Sequence, residues 1–498
     1  MKINTLVRRA TPATINTACR AASLVCSNKW HECGVRAPAS APVIHFFQQL
    51  QYRQFHGCRN CRYDRSNGNY NNYSQRTFGQ LFPSKVQYFS WKPQVAANPL
   101  LKHLQTRIKM GGPITVADYM KEVLTNSVSG YYMHRDVFGA AGDFITSPEI
   151  SQMFGEMLGV WVVNEWMNHY SNQQMQIVEL GPGRGTLADD MLRVFSQFPD
   201  IKDKISVNLV EVSPALSRIQ AVKVTGRDIS EIDGKFTDNS EVTAEPYQQL
   251  PSKYGPMVSW YRTLADVPQG LSCYIAHEFL DALPIHKFHK TEHGWREVLV
   301  DVDTGSDSLR FVLAPAQTPA SVAYLKNVLN SEKTNAEVCP SAGLIVQEIC
   351  QRIKQHGGFS LLADYGHTGE KGGTFRAFKN HNLHDPLVDP GTADLTADVD
   401  FSYLKSMVSA DDVSIFGPIT QARFLNNMGI GLRLQALLQS ASQDQWSDLV
   451  SGYKMLTSAE QMGERFKFMC ILPKLRDAYV PAGFVDLDLN VVSDSQSK

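Results

Sequence analysis

Four things are scarce in this 498-residue chain, and each scarcity closes off a class of protein. No uninterrupted apolar run approaches the roughly 18 residues that span a bilayer. The longest stretch, near Met153 to Met167, is broken by Glu156, Asn164 and Glu165, so a soluble protein is expected. Charge of neither sign is in excess: 48 Lys and Arg face 49 Asp and Glu, which argues against a nucleic-acid partner and the basic face it needs. The nine cysteines are scattered. Cys58 and Cys61 form a C-x-x-C with no second pair at zinc-like spacing, and no metal site is expected. Cys273, Cys350 and Cys470 sit singly in apolar stretches, as reduced core thiols do. Acids are almost missing at the start, where Glu32 is the single acid of the first 63 residues. An Arg-rich leader of that kind, without a long apolar core, has the composition of a mitochondrial transit peptide. Residues 64–97, rich in Asn, Tyr, Gln and Ser, read as a linker.

From about Asn98 the texture is globular. Leu100, Leu101, Leu104 and Ile108 recur at helical spacing, and Thr115 opens a second helix through Val116, Tyr119, Met120 and Val123. Ser147-Pro148-Glu149 has the form of a helix start, with a capping hydroxyl, proline in the first turn and an early acid. It predicts one long helix whose Met153, Phe154, Met157, Leu158 and Trp161 face a core. Strands alternating with helices then follow: a strand to Leu180, a helix from Thr186 to Phe198, a strand from Ser206 to Glu211, and apolar runs at Leu271 to Ala276 and Phe359 to Ala363. That order predicts an α/β, doubly wound, Rossmann-like parallel sheet, with ligands at the carboxyl ends of its strands. The domain plan is a helical segment over 98–172 and a catalytic domain over 173–477. Insertions lie near 285–345 and 380–475, His286 to Asp303 forms a two-stranded ribbon, and 478–498 is a loose polar tail.

Chemistry enters at Glu179-Leu180-Gly181-Pro182-Gly183-Arg184-Gly185. A strand that feeds a glycine turn into a helix lets the backbone approach a nucleotide. The spacing is G-x-G-x-G, whereas dinucleotide sites use G-x-G-x-x-G. Glu179 would repel a pyrophosphate but suits an ammonium and hydroxyls. S-adenosylmethionine presents both, and Gly181, Gly183, Gly185 and Glu179 are its predicted contacts. Glu211 should end the second strand and accept from ribose hydroxyls, while Val258-Ser259-Trp260-Tyr261 offers either an aromatic beside the adenine or core packing.

His277-Glu278-Phe279-Leu280-Asp281 leaves a later strand on the same edge. If the turn is helical, Glu278 and Asp281 share one face and can grip the fork of a guanidinium. The alternative is that these acids cap a helix or pair with lysines such as Lys287. Asp364 closes another strand and joins His277 among the catalytic candidates. His367 is either a base or a loop histidine. The acids of Gly391 to Asp400 supply an N-cap or line an entrance for a basic peptide.

Gly130-Tyr131-Tyr132, Gly142 to Gln152, Val178 to Gly185, Ala276 to Pro284, Ala363 to His367, Gly391 to Asp400 and Met462 to Phe466 together resemble the mitochondrial MidA-like methyltransferases, the complex I assembly-factor protein arginine methyltransferases. The resemblance spans about residues 98–475. It implies a class I S-adenosylmethionine-dependent methyltransferase of the mitochondrial matrix that symmetrically dimethylates arginine on a core peripheral-arm subunit of complex I and so promotes assembly. The double-glutamate loop of better-known arginine methyltransferases is no part of this resemblance. Two other readings stand beside it: a non-catalytic assembly chaperone that keeps the fold as scaffold, and a methyltransferase acting on a small molecule.

Overall fold

The computed structural model describes residues 98–134, 136–137, 145–232, 245–325, 332–474 and 479–485. The leader, the linker, the Cys58–Cys61 pair and Gly142 to Phe144 of the family-like motif lie outside them. Nearest the start are α1 (Pro99–Gly111), β1 (Ile114–Thr115) and α2 (Val116–Thr125), and the Thr115 side chain accepts from the Asp118 N–H to cap α2. The long helix expected from Ser147 is divided. Ser147–Ile150 makes one turn, Ser151 is extended at φ −159°, and α3 (Gln152–His169) starts afresh with the Ser151 hydroxyl accepting from Met153 N. A serine hydroxyl that bonds the backbone locally competes with helix continuation.

The central sheet is built from β2 (Met175–Leu180), β3 (Ile205–Val210), β4 (Gln248–Pro251), β5 (Met257–Tyr261) and β6 (Ser272–His277). An inserted sheet uses β7 (His286–Thr291), β8 (Gly294–Val302), β9 (Leu309–Leu313) and β10 (Asn335–Val338), together with β1. β7 and β8 are the antiparallel ribbon expected there. The central sheet resumes at β11 (Gly358–His367). A three-stranded flap of β12 (Arg376–Lys379), β13 (Asn382–His384) and β14 (Asp394–Thr396) follows, then β15 (Val399–Asp400), β16 (Val413–Thr420) and β17 (Phe466–Pro473). Along the central sheet the order is β16-β17-β11-β6-β2-β3-β5-β4. Its parallel strands β11, β6, β2, β3 and β5 reverse direction of winding at β2, which puts the topological switch point, and hence the ligand crevice, at the carboxyl ends of β2 and β6.

Both faces of this sheet are covered, as a parallel sheet requires. On one side α3, α4 (Thr186–Phe195) and α5 (Pro214–Thr225) bury Met153, Phe154, Met157, Leu158, Trp161, Met191 and Val224. On the other, α6 (Pro340–His356) buries Val346, Ile349 and Ile353 against Val178, Leu180 and Ala276. Each such fully buried aliphatic side chain contributes roughly 1.5–3 kcal/mol. The packing does not divide at residue 172. α3 belongs to the sheet's core, while α1 and α2 pack instead with β8, β14 and the neighbouring loops in a separate apolar cluster.

The tail is also firmer at its start than expected. Residues 479–485 lie along α3, with Phe484 buried against Phe424 of α7 (Gln421–Asn427). Glu165, fully buried on α3, accepts from the Tyr479 hydroxyl at 2.8 Å and the Ala482 N–H at 3.0 Å. Burial pushes its carboxyl up to about 7. The folded state thus holds a proton that the unfolded chain releases above about pH 4.5. Stability linked to Glu165 is full below that pH and falls as pH rises to 7, by about 3 kcal/mol in order of magnitude. Glu165→Gln should therefore narrow the difference in melting temperature between pH 5 and pH 8 by about 5 °C, and an unchanged difference would refute the assignment.

Candidate active site

β2 delivers Glu179 and then the glycine loop. Gly181, Gly183 and Gly185 take φ of +62°, +53° and +76°, the left-handed region that glycine enters without strain. At Gly181 the demand is doubled, because a Cβ there would stand 2.5 Å from the Phe279 ring. The cofactor loop and the acid-bearing turn after β6 therefore touch. Glu179 is buried, its Oε2 has no hydrogen-bond partner among the described residues, and burial pushes its carboxyl up to about 8. Such an orphaned oxygen is a fit for the ammonium or hydroxyls of S-adenosylmethionine.

Glu211 follows β3, as expected of the ribose acid. Ser213 N donates to its Oε1 at 2.7 Å and Gln220 Nε2 to its Oε2 at 3.0 Å. A carboxylate has about four acceptor positions, so sites for hydroxyls remain. Burial pushes this carboxyl up to about 7. Gln220 carries no sequence motif, yet it ties Glu211 to the glycine loop. Its Nε2 also donates to the Gly183 carbonyl at 2.8 Å, and its Oε1 accepts from Trp260 Nε1 at 2.9 Å. The signal for it was a glutamine within the buried stripe Leu216, Ser217, Gln220, Val224 of α5. Trp260 itself is core packing and does not edge an adenine.

On the acceptor side the helical turn expected for Glu278 and Asp281 is absent. Glu278 sits at φ +48°, and the chain from 278 to 281 is a tight non-helical bend. Its cause is Asp364, fully buried in β11 toward its carboxyl end, whose Oδ2 accepts from the N–H groups of Phe279, Leu280 and Asp281 at 3.2, 3.0 and 3.3 Å. Asp364 shapes the bend from beneath. The two flanking acids then find separate partners. Glu278 Oε1 accepts from Ser147 N at 3.0 Å and Ser147 Oγ at 2.9 Å, and lies 3.1 Å from His277 Nε2. Ser147 thus serves this acid and caps no helix. Asp281 Oδ2 accepts from Thr396 Oγ1 at 2.8 Å, and the Tyr365 hydroxyl, itself in contact with Thr396, supplies a second bond.

The carboxyls are within electrostatic reach of one another and are driven apart in acidity. Burial alone would raise Glu278, but His277 and Ser147 outweigh it and hold Glu278 below the usual range. Burial, with Glu278 nearby, raises Asp281 despite Tyr365 and Thr396. Asp364 is raised further by burial and by both neighbours. Lys287, the alternative partner for these acids, pairs with Glu337 at 2.8 Å. His277 packs its ring on Phe154 with centroids 4.8 Å apart and orients Glu278. His367 is the last residue of β11 and not a loop residue; it accepts Gly369 N on Nδ1, and burial lowers its pKa. Of the late acids, Asp400 is the N-cap of Phe401–Ser406, Asp398 pairs with Lys371 and Arg376, and Asp394 accepts from Tyr132. Arg376 also lies 5.1 Å above the Tyr365 ring.

Two expectations concern the donor side. A cationic, hydroxyl-bearing ligand favours ionised Glu179 and Glu211, which are largely protonated below about pH 8 and 7 in the free protein. Binding must then release protons, and affinity for S-adenosylhomocysteine should rise from pH 6 to 7.5 by up to about tenfold per unit for each proton released. Calorimetry in buffers of different ionisation heat checks this, and Glu179→Gln should release about one proton fewer. Gly183→Val, which puts a β-branched side chain at φ +53°, should abolish binding altogether. Normal affinity in that variant would rule out the loop as the cofactor site.

Comparison with known proteins bears on the family. The family described as "Putative S-adenosyl-L-methionine-dependent methyltransferase" matches residues 157–419, more than half of the chain. Protein arginine methyltransferase NDUFAF7, mitochondrial, of Homo sapiens is 52% identical over 78% of this chain and 88% of its own length. The protein of that name in Xenopus tropicalis is 52% identical over 76% and 87%. Among solved structures, a "likely methyl transferase" from Burkholderia thailandensis bound to S-adenosyl-homocysteine superposes with a TM-score of 0.60. It is 24% identical and covers 75% of this chain and 91% of its own, a likeness that establishes the Rossmann-like methyltransferase fold. The relatives are mitochondrial by name, as the basic leader predicts, and S-adenosyl-L-methionine is the family's methyl donor. By sequence over most of its length and by fold, the chain belongs to the mitochondrial MidA-like family of S-adenosyl-L-methionine-dependent methyltransferases.

Proposed function

We propose that the chain is a protein arginine methyltransferase of the mitochondrial matrix, acting on a core peripheral-arm subunit of complex I and forming symmetric dimethylarginine during assembly. The observation that carries the arginine reading is the seating of Phe279 on Gly181. That contact holds the turn carrying both acids against the glycine loop, and we take it to put Glu278 and Asp281 within reach of the methyl donor. An ionised Glu278 at that place can hold a planar cation by charge-assisted hydrogen bonds, with Asp281 on the same turn to receive a proton. The relatives' printed name supports the same substrate class.

The site residues divide the work. Glu179 on β2 and Glu211 after β3 hold the methyl donor. Glu278, kept ionised by His277 and Ser147, binds the guanidinium and turns one nitrogen toward the donor. S-adenosylmethionine, when bound, supplies a methyl carbon already activated by a positively charged sulfur. The nitrogen lone pair forms the new N–C bond as the C–S bond breaks, the sulfur leaves as a neutral thioether, and the nitrogen sheds one proton. Asp281, with its raised affinity for a proton and its Tyr365 and Thr396 partners, takes that proton. Alignment supplies most of the acceleration, since in-line placement of two reactants is worth about 7–11 kcal/mol at best. The symmetric product and the complex I target rest on the family resemblance.

Glu278→Gln should keep S-adenosylhomocysteine affinity within about twofold and lower transfer to an arginine peptide at least about 100-fold, since one buried charge-assisted grip on the reacting group is lost. Mass spectrometry of mitochondrial proteins with and without the chain should show methylarginine lost from a peripheral-arm subunit. Normal turnover by the variant refutes the grip, and unchanged methylarginine refutes the substrate class.

A further inference from the structure

We propose that Tyr132 is a positioning residue that couples the methyl-donor side of the cleft to the acceptor side, so that filling the first organises the second. This rests on the reading of Glu211 as a donor-side acid and of Asp281 as an acceptor-side acid. It does not depend on which acceptor is methylated.

Tyr132 bonds toward both sides. Its carbonyl accepts from the Ser213 hydroxyl at 2.6 Å, and its own hydroxyl donates to Asp394 Oδ1 at 2.7 Å. Ser213 is the cap of α5, and its N–H donates to Glu211 Oε1 at 2.7 Å. Asp394 opens β14, and two residues later Thr396 donates to Asp281 Oδ2 at 2.8 Å, with Ala397 N donating to the Asp281 carbonyl at 3.0 Å. Hydrogen bonds and two short stretches of backbone therefore run without interruption from Glu211 to Asp281. This path runs outside the central sheet, in which β2 separates β3, before Glu211, from β6, before Asp281.

The chain at Tyr132 is itself fixed. Its N–H donates to the Leu124 carbonyl at 3.1 Å, and Tyr131 packs edge-on against it with centroids 5.0 Å apart. Burial and Asp394 keep its phenol protonated and able to donate. A ligand whose hydroxyls recruit Glu211 alters the Ser213 end of this path, and a fixed Tyr132 passes the change to β14. The expected behaviour is donor-first binding, in which the acceptor acids reach their working positions only when the methyl donor is present. Such a coupling is a free energy between two sites and is measurable as one.

The test is hydrogen–deuterium exchange of the full-length protein with and without S-adenosylhomocysteine, read at residues 394–397. In the wild type the ligand should slow exchange there about tenfold, and in Tyr132→Phe, which keeps the ring and the carbonyl, less than about twofold. Calorimetry should show the variant's affinity for S-adenosylhomocysteine within about twofold of wild type. A bond that is merely structural would instead speed exchange equally in both states. Asp394→Ala breaks the same bond from its other end and should also lose the ligand effect. Equal slowing in wild type and either variant, or no slowing in the wild type, overturns the proposal. Because no arginine substrate enters the measurement, a failure of the arginine reading through Glu278→Gln is seen separately.

Discussion

A single buried carboxylate organises the cleft. Asp364 reaches from the end of β11 beneath the segment that leaves β6, and three consecutive backbone N–H groups converge on one of its oxygens. Consecutive amides can point the same way only in a tight bend, and such a concave backbone nest binds an anion much as a helix N-terminus does. Everything on the acceptor side follows from that bend. It forces Glu278 to φ +48°, seats Phe279 on Gly181, and sends Asp281 toward β14.

The price of this arrangement is electrostatic. Three carboxyls within mutual reach cannot all remain ionised out of water, and their environments separate them. Glu278 has the strongest donors and stays charged, whereas Asp281 and Asp364 are driven toward protonation. The donor side repeats the pattern, since Glu179 and Glu211 are also raised by burial. A cleft with this many acids favours cationic ligands at both ends, and each cation that binds relieves some of the desolvation. Arg376, stacked on Tyr365 and paired with Asp398, already moderates the field beside Asp281.

Features held within a few residues were legible in the sequence. The glycine loop, Glu211 at its strand end, the β7–β8 ribbon and the parallel order all announce themselves through local pattern. Asp364 was legible as a strand-end acid, but its action on a bend 83–85 residues away was not. Long-range partners were the general blind spot. Ser147 looks like a cap because S-P-E is a cap pattern, yet its hydroxyl is drawn to Glu278, 131 residues distant. The break at Ser151 was hidden by an apolar stripe that continues in phase across it. Tyr132 and Thr396 lie in stretches that carry the family resemblance, but nothing in those stretches gives either residue a role, and only the folded chain brings them to the acids.

The division between what was local and what was not also separates the two halves of the site. The half proposed to hold the methyl donor is made by β2, β3 and the turns that lead into α4 and α5. The half proposed to hold the acceptor adds Ser147 from before the central sheet, Tyr365 from β11, and Thr396 and Asp394 from the flap beyond it. Such residues can vary without disturbing the glycine loop, which lets a common methyl-donor fold serve different acceptors. The same separation creates a problem of timing, because acids assembled from distant segments must agree with a donor held by the sheet. A contact that belongs to both halves answers it, and among the described residues Tyr132 has its carbonyl in one and its hydroxyl in the other.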